Sequence, residues 1–184
     1  PLHLCADCHA KQKSDAIASL LAEVRRSEPF PDKLHTYQPF YDLDMEGWAL
    51  VRTDCPARLN VILDAVSRCD SVGEKLADPL GQASFIDLGC CSGFFSDAMS
   101  CHGFRSAGVD ISKDFIDWAS RLANIKAQDV SYVQSDLMSY LTSSAEKRFD
   151  VISTFATVQW VMAQSGYEAG LACFEAIFER ANSI

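Results

Sequence analysis

Apolar residues in the first part of the chain recur at helical spacing. Within Asp15–Arg26, Ile17, Leu20, Leu21 and Val24 fall on one face, and Ser14 offers a hydroxyl as N-cap, so the pattern predicts an amphipathic helix. The stretch Pro29–Trp48 mixes Pro, Tyr, Phe and Asp without a period and reads as a loop or ordered arm. A second helix is expected over Pro56–Arg68, since proline suits a first turn and Leu59, Ile62, Leu63 and Val66 share a face. Residues Asp70–Ala83 read as a linker.

From Phe85 the pattern changes to short apolar runs ending in an acidic or small residue. Phe85–Leu88, Ser106–Asp110, Ser131–Gln134 and Phe149–Phe155 read as strands. Helical stretches lie between them, over Phe94–His102, Lys113–Asn124 and Leu137–Ser143, and a last helix is expected over Glu168–Ala181, where Leu171, Phe174, Ile177 and Phe178 share a face. Such alternation implies right-handed βαβ units, hence an α/β fold with a doubly wound, mainly parallel, Rossmann-like sheet. The chain stops soon after that helix, and an unpaired apolar edge at Val151–Phe155 is an aggregation liability. The expectation is therefore a chain truncated after the fourth strand and following helix, with residues 1–70 as an N-terminal helical extension or lid and residues 71–184 as the Rossmann-like domain, its C-terminal strands missing.

Composition narrows the function classes. With 48% hydrophobic and 22% charged residues in 184, the chain has the makings of one packed core rather than a disordered or fibrous segment. A net charge of -9 disfavours a sequence-blind grip on nucleic acid and leans towards a small-molecule or protein partner. The most apolar region, Val151–Met162, is interrupted by Ser153, Thr154, Thr157 and Gln159, and nothing approaches the roughly 18 apolar residues of a bilayer span. No secretory pattern opens the chain, so a cytoplasmic location with reduced cysteines is expected.

The densest chemical signal is Asp87-Leu88-Gly89-Cys90-Cys91-Ser92-Gly93-Phe94, which follows a predicted strand and opens a predicted helix. Glycines there let backbone approach a ligand, and a helix start offers unpaired N–H groups. Asp110 comes 17 positions after Gly93, at a strand end, close to the roughly 20 typical of a ribose-binding acid. Asp136 ends the next strand in the same way. A nicotinamide fingerprint starting at Gly89 would need glycine at Cys91 and Phe94, so two of its three glycines are absent.

These residues resemble the class I, Rossmann-like S-adenosylmethionine-dependent methyltransferases over Phe85 to about Ala181. The resemblance implies S-adenosylmethionine as cofactor. It implies that Asp87 and the Gly89–Gly93 backbone, including Cys90, hold its amino-acid end, and that Asp110 grips the ribose. It further implies Asp136 with Leu137 near the adenine amino group, Ile111 on the adenine face, and Thr154 and Phe155 beside the sulfonium. One departure from the pattern is Cys91, where the family's middle glycine usually stands. The family's Asn/Asp-Pro-Pro-Tyr signature is also replaced, by Thr154-Phe155-Ala156-Thr157, so base amino groups are poor acceptors.

The implied activity is methyl transfer to an unidentified acceptor, a small molecule or a protein, and the alternative is a non-catalytic cofactor-binding module. Tyr37, Tyr41, Arg52, Gln159 and Trp160 are candidates for the acceptor side, with Trp48 for a lid; no catalytic residue is assigned, although His35, Tyr37 or Tyr41 could serve as a base. Cys5-Ala6-Asp7-Cys8-His9 has the form of a haem-attachment or half zinc motif without supporting ligands elsewhere, so no metal is expected. His102, before Gly103, reads as a helix C-cap.

Overall fold

The computed structural model describes residues 6–27, 34–78, 81–143 and 147–182, with side chains in the first helix from Ala10 onward. Cys5 lies outside the described residues, and only the helical backbone is described for Cys8 and His9.

Four parallel strands, β1 (Ser84–Leu88), β2 (Arg105–Asp110), β3 (Val130–Gln134) and β4 (Val151–Ser153), form a sheet in the order β3-β2-β1-β4. β1 is buried along its whole length, as a continuous apolar run in a central parallel strand should be. The chain moves outward from β1 through α4 (Phe94–Cys101) to β2, and through α5 (Lys113–Lys126) to β3. It then returns through α6 (Leu137–Ser143) to the other side of β1. That reversal between β1 and β4 is the topological switch point, where the crevice at the strands' carboxyl ends receives ligands in open α/β sheets. Just before β4, Phe149 makes an isolated parallel bridge to Ala181.

The N-terminal elements share cores with this sheet. α1 (Ala6–Ser27) lies on α5, where Leu20 and Val24 pack with Phe40, Trp118 and Leu122. α2 (Cys55–Ser67) and α3 (Asp70–Ala77) bury Cys55, Leu59, Ile62 and Val72 against Phe85, Phe94 and Phe95 of β1 and α4. The arm is sewn into a narrow loop by backbone bonds from His35 to Ala49 (2.8 Å) and from Arg52 to Tyr37 (2.7 Å). Lys126 anchors it to the sheet layer, donating from Nζ to the Tyr41 carbonyl (2.6 Å) and to Asp97 Oδ2 (2.7 Å).

Four sequence expectations need correction. The first helix begins at Ala6, so Ser14 lies inside it and caps nothing; the helix runs on beyond its apolar stripe with residues 10–15 exposed. The supposed linker contains α3, which is held by the burial of Val72 and by the ion pair of Lys75 with Asp150 (2.5 Å). The fourth strand is Val151–Ser153 rather than the full apolar run, because Phe155 turns away to stack on Phe95 at 4.9 Å. Residues after it form α7 (Val158–Ser165), which packs against α8 (Tyr167–Glu179) by inserting Met162 over Gly170.

Candidate functional site

β1 ends in the turn Gly89–Gly93 before α4 begins. The N–H groups of Gly89 and Cys90 both donate to the Val109 carbonyl (2.8 and 2.9 Å), and Gly93 N–H closes the turn on the Cys90 carbonyl (2.9 Å). Gly89, Cys91 and Gly93 have φ of +85°, +50° and +86°. For Cys91, which has a Cβ, this left-handed conformation costs about 1 kcal/mol. The flanking glycines give room to the protein itself as well as to any ligand. A Cβ on Gly89 would run into Thr157 Oγ1, and one on Gly93 into the Tyr132 hydroxyl.

The three acids at the strand ends sit in different surroundings. Asp87 is buried and accepts from the Ser153 hydroxyl at 2.5 Å; burial pushes its carboxyl up to about 7, with the neighbouring Asp110 adding to the rise. Asp110 accepts from the Cys91 N–H through Oδ2 and from the Ser112 N–H through Oδ1, both at 2.8 Å. Each of its oxygens keeps a lone pair for a further donor. Asp136 is exposed and caps the start of α6 by accepting from Ser139 N–H (2.9 Å), which holds its carboxyl below the usual range. Cys90 and Cys91 are free thiols raised well above their ordinary value by burial, so they stay protonated.

A cavity of about 420 Å³ opens at the carboxyl ends of all four strands. On one side stand Asp110, Ile111, Asp136 and Leu137, with Ile111 70% exposed. Gly89 and Cys91 form its floor, and Phe155, Ala156, Thr157 and Trp160 form the opposite wall. Tyr37 from the arm lines the same space. The structure thus brings together six of the ten residues expected for the cofactor, Gly89, Asp110, Ile111, Asp136, Leu137 and Phe155, together with Tyr37 and Trp160. That cavity is the size of a small-molecule site, about 300–1,000 Å³.

A narrow recess of about 20 Å³ shares Tyr37, Gly89, Phe155 and Ala156 with the main cavity and adds Asp87, Arg52 and two residues the sequence reading passed over, Gln38 and Arg58. Asp54 accepts from Arg58 Nε (2.8 Å) and lies 3.9 Å from Arg52 Nη1, leaving the trio with one net positive charge. The Arg58 guanidinium lies over Phe155 at 5.3 Å, and Arg52 Nε donates to the Tyr37 hydroxyl (3.3 Å). Asp87 and Arg52 therefore meet the cavity through this recess.

Cys90, Gly93 and Thr154 line neither space. Cys90 and Gly93 are structural members of the turn, and the Thr154 hydroxyl is buried without a hydrogen-bond partner. Tyr41 points instead at Phe94, edge-on at 5.6 Å, and Gln159 lies exposed on α7. His35 is engaged elsewhere, accepting from Ala49 N–H through Nδ1 (2.9 Å) and packing edge-on to Trp48. His102 sits at the C-cap of α4, as expected. No group of three metal-ligating side chains occurs among the described residues, and none of their helices is long and apolar enough to cross a membrane.

Comparison with known proteins agrees with this geometry. Residues 86–171 match a family profile described as "Methyltransferase domain". A ubiquinone biosynthesis O-methyltransferase of Coxiella burnetii is 34% identical over 76 residues, a match covering 41% of this chain and 32% of that protein. The chain spans about a third of the length of the curated relatives it matches. A crystal structure of the bifunctional kinase-methyltransferase WbdD shares the fold over 88% of this chain and 33% of its own, with a TM-score of 0.71 and 18% identity. A second structure of WbdD gives a TM-score of 0.72 over the same share of this chain, again at 18% identity. So large a share must include much of the chain before β1. With its switch-point cavity and acid-ended strands, the segment 86–171 has the Rossmann-like fold and the profile match of a methyltransferase domain.

Proposed function

We propose that the chain binds S-adenosylmethionine in the switch-point cavity and transfers its methyl group to a small-molecule acceptor. The observation that carries this is the cavity itself, with Asp110 and Asp136 on its β2–β3 side and the Phe155–Thr157 segment on its β4 side. The residues fit the cofactor. Asp110 has a lone pair free on each oxygen for the two ribose hydroxyls, Ile111 offers an exposed apolar face for adenine, and Asp136 stands beside Leu137 for its amino group. The recess, with Asp87 and the arginine pair, suits the charged amino-acid end.

When bound, the sulfonium supplies an electrophilic methyl group, so the protein's task is alignment and exclusion of water. Phe155 and Trp160 form an apolar wall on the side away from the acids, and Tyr37 is the one of the three possible bases that reaches the cavity. Arg52 holds its hydroxyl in place, leaving the phenol oxygen to orient an acceptor proton. This contribution from the arm supports reading residues 1–70 as an extension that closes over a domain at 71–184. The name of the ubiquinone biosynthesis relative supports a small molecule with an acceptor oxygen, and the net charge of -9 favours the same class over nucleic acid.

Calorimetric titration with S-adenosylmethionine, S-adenosylhomocysteine and NAD tests the reading. Micromolar binding of the first two without NAD is expected; a folded chain that binds neither sulfur compound would refute it.

A further inference from the structure

The Cys90–Cys91 peptide occupies the one position of the turn where the chain departs from glycine, and it is held at both ends. Its N–H donates to Asp110 at 2.8 Å. Its carbonyl accepts twice, from the Gly93 N–H at 2.9 Å and from Gln38 Nε2 at 2.8 Å. Gln38 belongs to the arm, is 5% exposed, and reaches across 52 residues to make this contact. A buried amide donor aimed at a carbonyl that already has its turn partner adds nothing to turn closure; it fixes the direction in which that peptide plane faces. Direction matters here because Cys91 sits at φ +50°, which a residue with a Cβ leaves readily for more populated conformations and a glycine does not.

We propose that Gln38 is a positioning residue for the cofactor turn, clamping the Cys90–Cys91 peptide in the left-handed arrangement that floors the cavity, and so coupling the arm to cofactor binding. The clamp makes cysteine tolerable where the family's turn has glycine. This inference rests on the proposed cofactor reading for its affinity readout alone.

The test is a double-mutant cycle between Gln38→Leu, which keeps bulk and removes the donor, and Cys91→Gly, which removes the need for a clamp. S-adenosylhomocysteine affinity is measured by calorimetry. Gln38→Leu is expected to weaken binding about tenfold beside Cys91 and less than twofold beside Gly at that position. Equal losses in both backgrounds would mean that Gln38 merely packs the arm, and would overturn the proposal. Gln38→Glu gives a second reading should the leucine variant fail to fold. Its carboxyl donates to the carbonyl only when protonated, so its affinity relative to the unmodified chain should recover as pH falls, and a ratio flat with pH counts against the clamp. If the unmodified chain binds no cofactor, it is the proposed function that fails. The clamp is then judged by thermal unfolding, where Cys91→Gly must lessen the loss caused by Gln38→Leu, and simple additivity rejects it.

Discussion

Asp87, Asp110 and Asp136 look alike in the sequence, each a carboxylate closing an apolar run, and the fold gives each a separate character. Asp110 holds two backbone N–H groups as well as facing the cavity, so Asp110→Ala should weaken S-adenosylhomocysteine binding by about 2 kcal/mol or more and loosen the turn as well. Calorimetry on the folded variant checks this, and unchanged affinity would show that ribose binds elsewhere. Asp136→Ala should lower stability by about 1 kcal/mol through its lost cap on α6, seen in urea unfolding. Asp87 behaves differently with pH. Its folded value of about 7 exceeds its ordinary 3.8, so the native state binds the proton more tightly than the unfolded chain. The resulting stability is complete below about pH 4, declines as pH rises and is gone above pH 7. Asp87→Asn removes the titration, so urea unfolding should show the variant gaining on the unmodified chain between pH 5 and 8. A constant difference across that range would place the proton elsewhere.

Among the elements, those with a strong period or a continuous apolar run were legible in advance. β1 declared itself because Phe85, Ile86 and Leu88 are buried on both faces of the sheet, and α5 because Trp118, Leu122 and their neighbours keep helical spacing. α3 was hidden because one buried valine and a glycine make no pattern, and α7 because it follows β4 closely and buries Val158 alone among its residues, leaving no apolar stripe to read. The glycine turn was recognised as chemistry, yet the occupants of its empty Cβ positions were not, since Thr157 and Tyr132 arrive from 68 and 39 residues away. Gln38 left no trace at all: its partner is a backbone carbonyl, which any sequence provides. The turn's mechanics can be tested at this scale. Gly89→Ala drives a methyl into Thr157 and forces a side chain to φ +85°, so a loss of about 3 kcal/mol is expected in chemical denaturation. Thr157→Ala on the same background should recover part of it by removing the nearest atoms.

At the scale of the whole molecule, the sheet supplies a fixed crevice and the N-terminal elements close one side of it. The buried Lys126–Asp97 pair, with side chains 8% and 5% exposed, joins α4, α5 and the arm through the Tyr41 carbonyl. Burial raises the Asp97 carboxyl despite its cationic partner, so removing the lysine strands a charge. Lys126→Met should therefore cost about 3 kcal/mol, whereas replacing both partners with apolar residues should cost clearly less; urea unfolding of the two variants decides between pair and packing. Fold class and the location of the cavity followed from the order of strand, turn and helix. The wall opposite the acids was legible in part: Tyr37, Phe155 and Trp160 line it, whereas Tyr41 packs on Phe94 and Gln159 is exposed, because that side is assembled from the arm, the segment after β4 and α7, whose proximity is a product of the fold.

The Thr157 side chain occupying the space beside Gly89 has a consequence for how such a sequence can drift over generations. Neither position is free to vary alone. A bulkier residue at 89 is barred while threonine stands at 157, and a residue at 157 without a hydroxyl forfeits the bond to the Leu88 carbonyl (2.9 Å). Descendants of this chain should thus change the two sites together or leave both untouched, and the segment after β4 should inherit the history of the turn after β1 although 68 residues separate them.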